Sequence, residues 1–164
     1  MMSKTLSRIP AILAAGFVIC SISGRVSAKR VQFQECGPER NVIAVNVSGC
    51  IVQPCRFATN SSVTFSLLAN ATQASSSVNH EVRSYINGRA FGLPQPSVNA
   101  CADGLVQPDC PIRPGQLYRF VQTITIQDSL PTVPTTLQFL IRGDEGVVLA
   151  CVRIHSLISD PHEF

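Results

Sequence analysis

Apolar side chains recur at every second position in several stretches of this chain. Val63, Phe65 and Leu67 alternate with Thr64 and Ser66. Val82, Ser84 and Ile86 alternate with Glu81, Arg83 and Tyr85. Tyr118, Phe120, Ile124 and Ile126 share one parity, against Arg119, Thr123 and Thr125. Leu137, Phe139 and Ile141 oppose Gln138 and Arg142; Val148, Ala150, Val152 and Ile154 oppose Arg153 and His155. A period of two is that of a strand with one buried face. No stretch after residue 28 keeps a 3.6-residue period over three turns. Val31–Phe33 and Val42–Val47 are shorter strand candidates. Turn signals separate the runs: Asn87-Gly88, Pro94 through Pro96, Asp103-Gly104, Pro114-Gly115, Pro131 through Pro134 and Gly143-Asp144-Glu145-Gly146. Roughly seven or eight short strands with such turns predict an all-β antiparallel sandwich. The Ser/Asn-rich residues from Asn70 to Asn79 read as an exposed connection, and there is no repeat and no second domain.

The first 28 residues do not belong to that pattern. Lys4 and Arg8 precede the apolar run Ile9–Cys20, whose 12 residues fall short of the roughly 20 that a membrane helix needs. Val26-Ser27-Ala28 supplies small residues for signal-peptidase cleavage after Ala28. The expected organisation is a removed signal peptide over 1–28 and one domain over 29–164. Removing 28 of 164 residues leaves 136 and takes Lys4, Arg8 and Arg25 away with no acidic residue. The formal charge falls from +3 to zero. With no basic run left to grip phosphates, nucleic acid is not an expected partner. Only 14% of residues are charged and 45% are hydrophobic, which excludes a disordered chain. Asn46-Val47-Ser48, Asn60-Ser61-Ser62 and Asn70-Ala71-Thr72 are glycosylation sequons, so Asn46, Asn60 and Asn70 are candidate glycan sites on a secreted protein.

Cys20 leaves with the signal, and six cysteines remain: Cys36, Cys50, Cys55, Cys101, Cys110 and Cys151. Six allow fifteen connectivities, and spacing does not choose among them. Cys50 and Cys55 suit a tight turn, Cys101 and Cys110 a short loop, and a bridge between Cys36 and Cys151 would then close the longest loop. Zinc would need close Cys or His pairs such as C-x-x-C, which are missing. Catalytic signatures are missing too: there is no His-Glu-x-x-His, no Gly-x-Ser-x-Gly and no phosphate-binding glycine loop. Asp144 and Glu145 are neighbours in a glycine-flanked turn, where their side chains diverge. They read as a solvated turn and not as a carboxylate pair. The sequence predicts no enzyme, metal or cofactor.

The cysteines stand in recognisable words. Val31-Gln32-Phe33-Gln34-Glu35-Cys36-Gly37 opens the domain, and Val45-Asn46-Val47-Ser48-Gly49-Cys50 leads to Gln53-Pro54-Cys55. Cys110-Pro111-Ile112 follows, and Gly143-Asp144-Glu145-Gly146-Val147-Val148-Leu149-Ala150-Cys151 closes the set. Together they resemble the ML family, the MD-2-related lipid-recognition domain. The opening is similar to the Niemann–Pick C2 sterol-transfer members and the closing words to the mite group 2 allergens. The resemblance implies an immunoglobulin-like sandwich with a hydrophobic cavity between its sheets. It also implies the bridges Cys36–Cys151, Cys50–Cys55 and Cys101–Cys110.

The resemblance further places Leu93 at the pocket mouth, in a Pro-rich loop with Pro94 and Pro96. It places Ile126 and Leu130 at two sterol-contacting positions. Leucine stands at 93 and 130 where the sterol-transfer members carry aromatics, and Val152 stands where they often carry tryptophan. Leucines are less particular than flat rings, so a fatty acid or phospholipid joins sterol as a candidate ligand. From the alternation itself, Phe65, Tyr118, Phe120, Ile124, Ile126 and Phe139 are inner-face residues. The Tyr118 hydroxyl would meet a polar head or a backbone carbonyl. His80, His155 and His162 read as solvated or hydrogen-bonded histidines, with pH-driven release as the alternative role.

The resulting expectation is a secreted, non-catalytic carrier that holds a sterol or other lipid between its sheets and exchanges it with membranes through Leu93, Ile126 and Leu130. A lysosomal destination is the variant reading, and a monomer is the default state. The alternative is a lipid-dependent recognition factor or co-receptor in innate immunity, with a membrane receptor as partner.

Overall fold

The computed structural model describes residues 29–94 and 99–162. The expected signal peptide and Pro96 lie outside the described residues.

Strands are numbered in chain order. One sheet has the order β1 (Lys29–Arg30), β3 (Val42–Val47), β5 (Ser62–Asn70), β9 (Leu117–Thr125) and β8 (Val106–Gln107), all antiparallel. The other runs β2 (Gln34–Glu35), β11 (Val148–Ser159), β10 (Pro134–Arg142), β6 (Asn79–Ile86) and β7 (Arg89–Leu93). β4 (Cys55–Ala58) joins it by pairing parallel with the end of β11. The remaining pairs of this second sheet are antiparallel.

The alternation seen in the sequence is the pleat of these strands. On β5, Val63, Phe65, Leu67 and Ala69 are buried; on β9, Tyr118, Phe120, Gln122 and Ile124 are; on β6, His80, Val82, Ser84 and Ile86 are. The two inner faces meet. Phe65 of the first sheet stacks on Phe139 of the second, and Phe120 tilts against His80 with ring centroids 5.1 Å apart. These contacts lay β5 over β10 and β9 over β6. Burying β-branched and aromatic faces against each other is the main drive of such a sandwich, at roughly 25 cal/mol per Å² of apolar surface.

Three features depart from the sequence pattern. Residues 89–93 form a strand, so Leu93 ends β7 and pairs with Val82 instead of sitting in a loop. Asn87 and Gly88 both take positive φ, 50° and 78°, as a two-residue hairpin turn between right-twisted strands requires. A register shift between Ile141 and Arg142 breaks the parity of β11, so Leu149 is buried while Val148 is only half-buried. Gln138 stands on the outward parity yet is buried, with its Nε2 3.2 Å from Cys151 Sγ.

The disulfides are Cys36–Cys151, Cys50–Cys55 and Cys101–Cys110. Cα separations of 4.9, 4.9 and 5.6 Å are ordinary for such bridges. The first anchors the chain just after β2 to β11, where the Cys36 N–H also donates to the Cys151 carbonyl at 2.9 Å. The second staples the loop before β4, and the third closes the loop that contains β8.

Candidate functional site

The interior between the sheets is the site to which the sequence pointed. Phe65, Leu93, Tyr118, Phe120, Ile126, Leu130 and Phe139 all belong to one contiguous buried cluster. They come from four strands and from the segment after β9, so only the folded sandwich assembles them. Pro94, immediately beyond β7, is exposed. Among the described residues no Asp, Glu, Lys or Arg is fully buried. Nothing ionic on these faces opposes an apolar occupant, since an unpaired charge there would be costly. No group of three His, Cys, Asp or Glu side chains able to hold a metal forms among the described residues.

The two ends of this interior differ. At one end a polar latch joins the sheets. Asn41 Nδ2 donates to the carbonyls of Asn70, on β5, and Leu149, on β11, each at 2.8 Å. The Tyr118 hydroxyl donates to the same Leu149 carbonyl at 3.3 Å. Burial pushes the Tyr118 phenol above its ordinary pKa, so it stays a neutral donor. The backbone carbonyl is therefore the partner that Tyr118 has found. Eight residues along the chain, about 27 Å at strand rise, Ile126 leaves the other end of β9. Ile126 exchanges backbone hydrogen bonds with Asn60 and Ser61. Leu130 follows it in the connection to β10, buried and packed into the cluster.

At the centre the space between the sheets is occupied by protein. The rings of Phe65 and Phe139 lie parallel with centroids 3.7 Å apart. Polar side chains line part of the inner surface. The Ser84 and Thr135 hydroxyls lie 2.7 Å apart, and Thr135 Oγ1 also donates to the Tyr85 carbonyl. His80 is buried against Phe120, whereas His155 and His162 are exposed. The burial of His80 escaped the sequence reading, which started the alternation at Glu81, two residues after β6 begins at Asn79. Gln122 also escaped it, hidden in the gap between Phe120 and Ile124.

Outside the sandwich, the outer face of the second sheet carries an open groove of about 540 Å³. Gln34, Tyr85, Thr136, Arg153 and His155 line it, with the Arg153 guanidinium 5.2 Å from the centre of the Tyr85 ring. Large apolar side chains are exposed at Phe91 on β7 and at Ile51 and Val52 in the Cys50–Cys55 loop. Of the sequon asparagines, Asn60 and Asn70 are exposed and Asn46 is half-buried in β3.

Known proteins resemble this chain in sequence and in fold. The NPC intracellular cholesterol transporter 2 of Canis lupus familiaris is 25% identical over 144 residues, covering 87% of this chain and 95% of that protein. The mite group 2 allergen Pso o 2 of Psoroptes ovis is 29% identical over 135 residues, covering 82% of this chain and 90% of the allergen. The crystal structure of a Niemann-Pick type C2 protein from the Japanese carpenter ant superposes with a TM-score of 0.70 at 16% identity. That match covers 79% of this chain and all of the ant protein, and it establishes the common fold. The model of the ML domain family matches residues 30–158, nearly all of the described sandwich, and the chain belongs to that family.

Proposed function

We propose that this protein is a secreted, non-catalytic carrier that takes a sterol-like lipid between its sheets and exchanges it with membranes. The observation that carries this reading is the uncharged apolar cluster between the two sheets, built from the side chains in which the sequence placed the site. Relatives named as cholesterol transporters support the ligand class. The latch of Asn41 and Tyr118 favours entry at the opposite end, past Leu130 and Ile126. Leu93 is itself buried and pairs with Val82 at the level of Phe139, midway between that end and the latch, with Pro94 and Phe91 exposed beside it on the edge strand. Three disulfides and two exposed sequons suit an oxidising secretory route, with an acidic lysosome as a further destination.

The drive is burial of the lipid itself. About 20 methylenes leaving water contribute a gross ~16 kcal/mol. Association costs about 4–15 kcal/mol. The protein exchanges contacts between its own inner faces for contacts with the ligand, which is close to neutral as long as the packing is restored. No charged group has to move, and no chemical step is involved.

Transfer between vesicles tests the reading. The isolated protein should speed movement of cholesterol from donor to acceptor liposomes in proportion to its concentration. Ligand binding without any transfer would reject the carrier.

One observation favours a second reading. Ile51 and Val52 are 75% and 73% exposed on a loop fixed by the Cys50–Cys55 bridge. Adjacent exposed aliphatics on a rigid loop suit a protein contact. A lipid-dependent recognition factor would dock its receptor there, and Ile51→Asp would then abolish receptor capture without affecting lipid uptake.

A further inference from the structure

Gln122 is a polar residue where an apolar one would fit. It lies on the inner parity of β9 between Phe120 and Ile124, is 3% exposed, and pairs across the sheet with Phe65. Its Nε2 donates to the Thr123 carbonyl at 3.1 Å, which fixes the orientation of the amide. Its Oε1 is buried and has no hydrogen-bond partner among the described residues. A buried amide oxygen without a donor is destabilising, and nearly all buried polar groups in native proteins find a partner. Its place along β9 is equally informative. Gln122 is midway between Tyr118 at the latched end and Ile126 at the other, about 14 Å from each at strand rise.

We propose that Gln122 Oε1 is the acceptor for a hydroxyl carried by the lipid, so that the ligand class is a hydroxylated lipid whose donor is buried about 14 Å inside the sandwich. This inference rests on the carrier reading and specifies it. Two lipids supply that chemistry. A sterol entering ring-first brings its ring hydroxyl to this depth, and a lipid entering tail-first does so when its tail is hydroxylated. In either case the hydroxyl replaces its lost water with the amide oxygen, while a lipid lacking it leaves the oxygen unpaired.

Competitive binding of three probes to the whole secreted protein separates the outcomes: 5α-cholestane, which has no hydroxyl, cholesterol, and 25-hydroxycholesterol. The wild type should bind at least one hydroxylated probe about tenfold more tightly than cholestane. A preference for cholesterol over cholestane assigns ring-first entry, and a further preference for 25-hydroxycholesterol over cholesterol assigns tail-first entry. Gln122→Met keeps the volume and removes the acceptor. It should erase the preference, leave cholestane binding intact, and leave the ligand-free unfolding temperature unchanged or raised.

Three results would overturn the proposal: equal binding of all probes by the wild type, a preference that survives Gln122→Met, or a lowered ligand-free unfolding temperature in that variant. A wild type that binds none of the probes rejects the carrier reading as well, which distinguishes the two failures.

Discussion

Phe65 and Phe139 hold the two sheets in direct contact. Their rings are stacked at 3.7 Å with planes 3° apart, one from β5 and one from β10. In the sheets, Phe65 stands between Val47 and Gln122, and Phe139 between Val82 and Val152. A lipid lying along the interior has to part these rings, and the contacts it then makes replace theirs.

Phe139→Ala should therefore act differently with and without lipid. Without lipid it should cost about 3–5 kcal/mol, the usual cost of deleting a buried phenyl ring. With lipid bound the lost ring is partly replaced, so cholesterol should raise the unfolding temperature of the variant more than that of the wild type. Thermal unfolding with and without cholesterol measures this, and equal shifts would mean the ligand does not reach Phe139.

Leu93 tests the mouth position that the family resemblance implies. It is buried at the end of β7, beside the exposed Pro94. Leu93→Asp puts a charge into that apolar contact and should abolish lipid uptake, whereas Leu93→Phe should retain it and favour sterol over fatty acid by adding a flat face. Uptake measured on chains whose circular dichroism stays native decides the matter. Unchanged uptake by the aspartate variant would remove Leu93 from the lipid site.

Asp144 clamps the glycine-flanked turn to the Ser-rich connection. Its Oδ2 accepts from the N–H and hydroxyl of Ser76, and its Oδ1 from those of Ser77. The hydroxyl of Ser77, then the N–H and hydroxyl of Ser76, hold the carboxyl well below the ordinary carboxylate range. A lowered pKa in the folded state means this contribution to stability is complete above the unfolded value, about 3.9, and is lost as pH falls from there towards the folded value. The clamp is thus intact at pH 5. Asp144→Asn should flatten the stability–pH curve below about pH 4 and leave its shape between pH 5 and 7 unchanged. Urea unfolding across that range is the measurement. The adjacent Gly143 is tightly confined, because a Cβ there would stand 2.5 Å from Ser75 Oγ. Gly143→Ala should cost about 1–3 kcal/mol in the same assay.

The bridges should differ in worth by the loop each closes. Cys36–Cys151 spans 115 residues and Cys50–Cys55 spans 5. Chain entropy assigns about 5 kcal/mol to the first and about 2 to the second. Paired Cys→Ala variants compared by urea midpoint should show that order, and a reversed order would mean that local packing, and not chain entropy, sets the difference.

Much of this was legible in the sequence because the strands have one wet face. Val63 to Leu67, Tyr118 to Ile126 and Leu137 to Ile141 announced themselves by alternation; in the first two the inward residues are the buried ones, whereas all of Leu137–Ile141 is buried. β7 was silent because an edge strand with Arg89, Ala90, Phe91 and Gly92 all exposed has no alternation to read. The parallel pairing of β4 with β11 was equally hidden, since a four-residue strand carries no record of its partner's direction. Leu149 entered the core through a register shift, which moves a residue to the other face without any change of composition. At the site, the apolar wall was readable and its polar exceptions were not. Gln122 and His80 stand on the inward parity of β9 and β6, but a polar side chain there does not announce its burial.

The central claim is that the space between Phe65 and Phe139 opens to a lipid. Native mass spectrometry of the protein purified from a secreting cell tests it most directly, with solvent extraction to identify what is released. One lipid per chain is expected, a sterol or another hydroxylated lipid. A protein that emerges empty and also refuses added sterol, fatty acid and phospholipid would contradict it, and the stacked rings would then be a closed core.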